Sequence, residues 1–318
     1  MMSRWVSFAF STIVLHATSV AIDPVAVNNP VQRKLAHGVK GAGVVRAQVL
    51  LGRAHFSCGE TDGTSGSNFR KALAAFQGER NLQVTGALDA ATWSALNADT
   101  APALVVYTIT ALDLQGPFEP IPADVKEQAM LPHLGFASPL EAMGERFHAS
   151  PELLRALNKG ANFEQAGQQV MVPNLLVMSA IRADHIVVSK AESSVRAYDS
   201  SGSLLAFYVA TIGSEHDPLP IGDWKINGVA RNPRFHYNPE LFWDAKVSAD
   251  KETLAPGPNN PVGPVWIDLS KDHYGIHGTP EPGKVGHAAS HGCIRLTNWD
   301  ALELSTMVRP GTPATLKD

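Results

Sequence analysis

GIHGTPEPGKVGHAASHGCIRL, residues 275–296, holds three of the chain's 12 histidines and one of its two cysteines, among five glycines and two prolines. Such a tract has three readings: a metal site, a nucleophile with its base, or a glycine-rich loop with exposed histidines. A thiol with an ordinary pKa of ~8.5 is nucleophilic only as thiolate, and a neighbouring imidazole can take its proton. His277, His287 and His291 are the candidate bases for Cys293. His277 ends a predicted strand, Tyr274–His277, which would hold it rigidly, and the carbonyl of Gly278 could orient its ring in place of a carboxylate. Gly292 lets a substrate approach the backbone closely. The amides of Gly292 and Cys293, with His291, could face a developing oxyanion. A helix opening just after Cys293 would add a positive dipole end that favours thiolate. For zinc the spacings are poor, with His291 only two residues from Cys293 and a proline-containing loop between His277 and His287. The chain has no HExxH helix and no CxxC pair, so neither a metal nor any other cofactor is expected.

Outward from this tract the hydrophobic period is two. His185–Ser189, Val195–Asp199, Leu204–Thr211, Trp224–Val229 and Val265–Leu269 read as short strands. One helix follows the cysteine, with Thr297 or Asn298 as its cap and Trp299, Leu302, Leu304 and Val308 as apolar surface. Many strands and one late helix predict a mostly β domain over 183–317. The segment from Arg231 to Pro264 is long and rich in Pro, Asn and aromatics (Phe235, Tyr237, Phe242, Trp243). A loop of that length is expected to cover the Cys293 pocket.

At these residues the chain resembles the YkuD-type L,D-transpeptidases. Their pattern is HG, a spacer, then S-H-G-C-[IV]-R, met here by His277-Gly278-Thr279 and Ser290-His291-Gly292-Cys293-Ile294-Arg295. Pro220-Ile221-Gly222 and Asn260-Pro261-Val262-Gly263 support the match. The resemblance implies Cys293 as nucleophile, His277 as base and later acid, the Gly278 carbonyl as its orienter, and Ser290, His291 and Gly292 around the oxyanion. It leaves two readings of Arg295, a hold on a stem carboxylate or a brace for the loop. His287 matches no required position and is expected to be exposed. The implied reaction takes a tetrapeptide stem, expels D-Ala from diaminopimelate, and passes the acyl group to an amine, forming a 3→3 crosslink. Reactivity with carbapenems is also implied. Hydrolysis by the same acyl-enzyme, as a carboxypeptidase or crosslink hydrolase, stays open. So does a non-catalytic wall-binding role, against which the intact His277/Cys293 pair argues.

Two further modules precede this domain. Residues 41–99 are helical in pattern, with Phe69, Leu73 and Phe76 on one face, Ser67 as a candidate cap, and Asp89 capping a helix that carries Trp93 and Leu96. Asp62-Gly63, Phe76-Gln77, Thr85-Gly86, Asp89 and Thr92-Trp93 resemble a peptidoglycan-binding domain with a three-helix core. Residues 104–175 read strand–helix–helix–strand, from Tyr107-Thr108-Ile109 to Val170–Pro173, and resemble a LysM module, with Leu112–Leu134 longer than that pattern expects. This resemblance implies glycan strands as a partner.

Bulk composition narrows the setting. The chain has 318 residues, 44% apolar, 18% charged, and a net charge of −4, which gives no basic footprint for nucleic acid. Arg4 followed by Trp5–Leu15 and Ser19-Val20-Ala21 reads as a secretory signal over 1–21, with a polar linker over 22–40. An exported protein of the periplasm or cell wall, with no stable membrane span after cleavage, is expected. Cys58 and Cys293 fall in different modules and read as separate thiols rather than a disulfide.

Overall fold

The computed structural model describes residues 21–31, 35, 38–175, 181–241, 250–287 and 292–318. The signal reading therefore lies, except for Ala21, outside the described residues. No helix among the described residues is long and apolar enough to cross a membrane.

A short helix α1 (Pro24–Asn28) lies within the stretch read as linker and packs on α2 (Ala42–Arg53). Helix α2 is buried from Val44 to Leu51, including Arg46 and Gln48. Those two polar side chains are satisfied. Arg46 donates to Asn97 Oδ1, and Gln48 donates to Asp62 while accepting from the Gly63 amide at 2.8 Å. After a two-residue strand β1 (Phe56–Ser57) come α3 (Ser67–Glu79) and α4 (Ala90–Leu96). Gly66, not Ser67, occupies the cap position of α3, and no side chain caps it. Asp89 caps α4 by accepting from the Thr92 amide. Gln77 is fully buried and joins the turn to both helices. It donates to Thr92 Oγ1 and Ala87 O and accepts from the amides of Thr85 and Gly86. The motif residues of this unit are thus its hydrogen-bond hubs, since a buried amide must find partners.

Strand β2 (Leu104–Thr108) pairs antiparallel with β3 (Gln169–Pro173). Between them lie α5 (Val125–Ala129), α6 (Pro139–Arg146) and α7 (Pro151–Leu157). Ser138 and Ser150 cap the last two. Both of these helices begin with Pro, whose missing N–H is no loss there.

The remaining chain builds most of a ten-stranded sheet of order β1-β6-β5-β4-β14-β8-β11-β12-β13-β7. Its strands are β4 (His185–Ser189), β5 (Ser194–Tyr198), β6 (Leu204–Val209), β7 (Thr211–Ile212), β8 (Gly222–Arg231), β11 (Val265–Leu269), β12 (Gly275–His277), β13 (Ile294–Arg295) and β14 (Pro313–Lys317). A hairpin of β9 (Phe235–Tyr237) and β10 (Glu252–Leu254) stands apart from it. Helix α8 (Asn298–Met307) covers the sheet, with Ala301, Leu304 and Met307 in the core. The cap is Thr297, whose hydroxyl accepts from the Asp300 amide. Strand β13 intervenes between Cys293 and α8, so the helix does not open beside the thiol and the dipole argument does not apply.

The modules share their interiors. Strand β1 adds in parallel to β6, Phe56 opposite Phe207. Phe56, Cys58, Phe69 and Phe76 form one core with Leu204, Phe207 and Val209. Cys58 is buried there as a thiol, and burial raises its pKa. The described part of the 231–264 segment leans on the middle module: Leu134 donates to Pro256 O, Asn259 to Gly135 O and Glu141. A Cβ on Gly257 would fall 2.0 Å from Leu134 O, so only glycine permits this approach. Phe242 and Trp243 lie outside the described residues.

Asp300 sits at the junction, 3% exposed, accepting from the Ser57 hydroxyl at 2.8 Å. Burial raises its pKa from 3.8 to about 8, against hydrogen bonds from Thr297 and Ser57. The native state therefore holds a proton that the unfolded chain has released, and stability falls as pH rises through this window. Asp300→Asn is expected to lose less melting temperature than the parent between about pH 4 and pH 8, measured by thermal unfolding. An identical pH dependence would refute the assignment.

Candidate active site

Strand β12 lies between β11 and β13. It pairs in parallel with β13, Ile276 opposite Ile294 and His277 opposite Arg295. Both isoleucines are fully buried. Side chains alternate across a strand, so Cys293, Arg295 and His277 share the opposite face. The indole of Trp266, paired with His277 on β11, stacks on the imidazole at 5.4 Å between ring centroids and 15° between planes.

His277 is 3% exposed. Its Nδ1 lies 2.7 Å from the Gly278 carbonyl oxygen. A carbonyl only accepts, so Nδ1 carries the proton and Nε2 of the neutral ring keeps a lone pair. Burial, with the Arg295 charge adding to it, lowers the His277 pKa to about 3, against the bond to Gly278. Cys293 is half-buried, with its Sγ 3.7 Å from the His273 carbonyl oxygen. Burial raises its pKa, as does Asp217, while a hydrogen bond with the Gly275 backbone and the Arg295 charge oppose the rise. Both shifts favour a neutral pair, thiol and imidazole, because both groups lose solvent and a buried ion pair must outweigh that cost.

Gly292 has φ +91°, a conformation that favours glycine, and a Cβ there would come within 3.0 Å of the Tyr274 ring. Its neighbours Ser290 and His291 lie outside the described residues. His287 is exposed. Among the described residues no group of three or more His, Cys, Asp or Glu could hold a metal ion. Arg295 acts electrostatically on both Cys293 and His277.

Sequence reading missed the role of Asn298, which had been weighed only as a cap. Its Oδ1 accepts from the Thr279 amide at 2.8 Å and its Nδ2 donates to Pro258 O. A Cβ on either Gly278 or Gly263 would stand 2.1 Å from that Oδ1. Asn298 thus clamps the turn whose carbonyl holds His277. Glu145, on α6 of the middle module, bonds to Asn298 in turn, and burial raises its pKa to about 8. No local pattern encodes this contact, because its partners stand 19, 40 and 153 residues away (298 − 279, 298 − 258, 298 − 145). The helical module reaches the same site. Val285, in the loop between the two motifs, is buried in the helical core, and Asn68 of α3 donates to its carbonyl at 2.8 Å.

Asn298→Ala leaves the buried Thr279 amide without an acceptor, which costs about 1–3 kcal/mol. Chemical denaturation is expected to show that loss with an unchanged m-value. A loss under about 0.5 kcal/mol would mean that the clamp is not needed.

Two family models match this chain. The L,D-transpeptidase catalytic domain, YkuD, matches residues 183–316. The peptidoglycan binding domain PG_binding_1 matches residues 40–96. The "Putative L,D-transpeptidase YkuD" of Bacillus licheniformis is 33% identical over 175 residues, covering 54% of this chain and 90% of that protein. The protein of the same name from Bacillus subtilis is 31% identical over 151 residues, covering 48% of this chain and 76% of its own length. Each match spans at least three quarters of the relative, so the chain belongs to the YkuD family of L,D-transpeptidases, cysteine transpeptidases that act on peptidoglycan, and carries a peptidoglycan-binding domain ahead of the catalytic one.

Proposed function

We propose that the chain forms an acyl-enzyme at Cys293 from a peptidoglycan tetrapeptide stem and transfers it to an amine, making 3→3 crosslinks. The observation that carries this reading is the bond from His277 Nδ1 to the Gly278 carbonyl, with His277 and Cys293 on one face of a parallel strand pair. The ring is thereby held with Nε2 as the only basic nitrogen.

The steps balance as follows. His277 Nε2 takes the thiol proton as sulfur bonds to the carbonyl carbon of the diaminopimelate residue. The amides of Gly292 and Cys293 receive the oxyanion, a role the family resemblance extends to His291 and Ser290. Collapse breaks the C–N bond, and the Nε2 proton goes to the departing D-Ala amine. An acceptor amine then attacks the thioester and gives its proton to His277, the C–S bond breaks, and that proton passes to the released sulfur, restoring the thiol. Water in place of the amine makes the same acyl-enzyme a carboxypeptidase or crosslink hydrolase. The two modules over 41–99 and 104–175 would hold the wall, the second as a LysM-like glycan binder. An exported protein, cleaved after a signal over 1–21, and a carbapenem adduct on Cys293 belong to the same reading.

Incubation with a purified disaccharide tetrapeptide, followed by mass spectrometry, tests it. Crosslinked dimers are expected from the parent, and none from Cys293→Ala. His277→Ala should slow acylation by about 10²-fold or more. Because a neutral imidazole persists down to about pH 3, the acylation rate should be flat over about pH 5–7. A rise centred near the ordinary imidazole value of ~6.5 would contradict the neutral pair. Loss of D-Ala without dimers would favour the hydrolase.

A further inference from the structure

Asp217 stands in the turn that leaves β7. Ile212 of β7 is opposite Ile294 and Thr211 is opposite Arg295, so Gly213 continues the register beside Cys293. The turn is tight. Ser214 donates to the Asp217 carbonyl and the Asp217 amide donates to Ser214 Oγ, both at 2.9 Å. A Cβ on Gly213, at φ +52°, would come within 2.9 Å of the Leu219 amide nitrogen. Both backbone groups of Asp217 are therefore occupied. In its side chain, Oδ2 is buried and has no hydrogen-bond partner among the described residues. Among the described residues, its charge acts on the Cys293 thiol and the Tyr274 hydroxyl, and Tyr274 lies against Gly292. Neither is a cation. Among the described residues, the cation that acts on Cys293 and His277 is Arg295.

A buried carboxylate oxygen without a donor is costly. This one also opposes ionisation of the residue that must become a thiolate. A site that keeps such a group is complete only when a cation arrives. We propose that Asp217 is the ammonium-binding residue of this site, taking a primary ammonium carried by the peptide substrate. The inference rests on the transpeptidase reading above and names what that site recognises. Pairing neutralises the carboxylate, so the substrate itself removes an obstacle to ionisation of Cys293. The ammonium has two sources, the side chain of the acylated stem residue or the acceptor amine, and the chemistry at Asp217 is the same for both.

The test uses the full chain and two synthetic tetrapeptides ending in D-Ala, one with lysine as the third residue and one with that lysine acetylated on its ε-amine. If the donor carries the ammonium, the free-amine peptide acylates the parent about tenfold faster or more, and Asp217→Asn abolishes the difference. If the acceptor carries it, both peptides acylate alike, and Asp217→Asn lowers the ratio of amine transfer to hydrolysis by about tenfold. In either case neutral iodoacetamide should alkylate Cys293 faster in Asp217→Asn than in the parent, the opposite direction to the loss of acyl transfer. A merely structural role would not separate the two, and Cys58 staying unmodified shows that the fold persists. Asp217→Glu, which keeps the charge, should restore part of the discrimination. Equal donor rates with an unchanged transfer ratio, or slower alkylation in Asp217→Asn, overturn the proposal. Failure of both peptides to acylate the parent overturns the transpeptidase reading, and the proposal with it.

Discussion

Two residue pairs across β12 and β13 determine most of what this molecule can do. Ile276 opposite Ile294 fills the core, and His277 opposite Arg295 fills the other face. Slipping the register by one residue would send the imidazole into the hydrocarbon and an isoleucine to the surface. Burial of the two isoleucines therefore fixes the chemistry on the opposite side. The parallel sense of the pair requires a crossover between the motifs, and its described part, residues 278–287, is anchored at several points. That segment is held at Thr279 by Asn298, at Gly286 by Thr211, and at Val285 by the helical module.

Electrostatics at the site follow from its dryness. Stacked under Trp266 and almost unexposed, His277 is favoured in its neutral form, and burial likewise favours the protonated thiol of Cys293. Such a site resists the alkylation and oxidation that a standing thiolate would invite. The same dryness makes each hydrogen bond to His277 stronger than it would be in water.

Much of this was legible in the sequence. The period-two runs marked β4, β5, β6, β8, β11 and β12, and the HG and SHGC tracts marked His277, Gly278, Gly292 and Cys293. What was missed has a common cause. β13 is two residues long, and β14 ends a segment read only as the close of a helix. Neither carries enough alternation to be seen. Asn298, Asp217 and Val285 matter through contacts between distant segments, and composition is blind to those. The helix expected beside Cys293 failed because Ile294 and Arg295 found strand partners first, a tertiary effect that overrides local pattern. The three-helix unit was read as a separate module because its own periodicity is complete. Nothing local records that Phe56 would also pair with Phe207.

That pairing alters what the catalytic region is. Strand β1 caps the edge of the sheet at β6, and Phe56, Phe207 and Val285 lie in one hydrophobic interior with α2 and α3. Excising residues 183–316 would bare an unpaired strand edge and an apolar face together, the combination that invites aggregation. The catalytic segment is therefore not a cassette that can be moved between hosts on its own. A wall-binding unit joined by a flexible linker would let its enzyme sweep a volume set by linker length. Here the binding unit and the thiol sit at a fixed separation in one packed body. Whatever the helical unit holds, the thiol is carried at one fixed position relative to it.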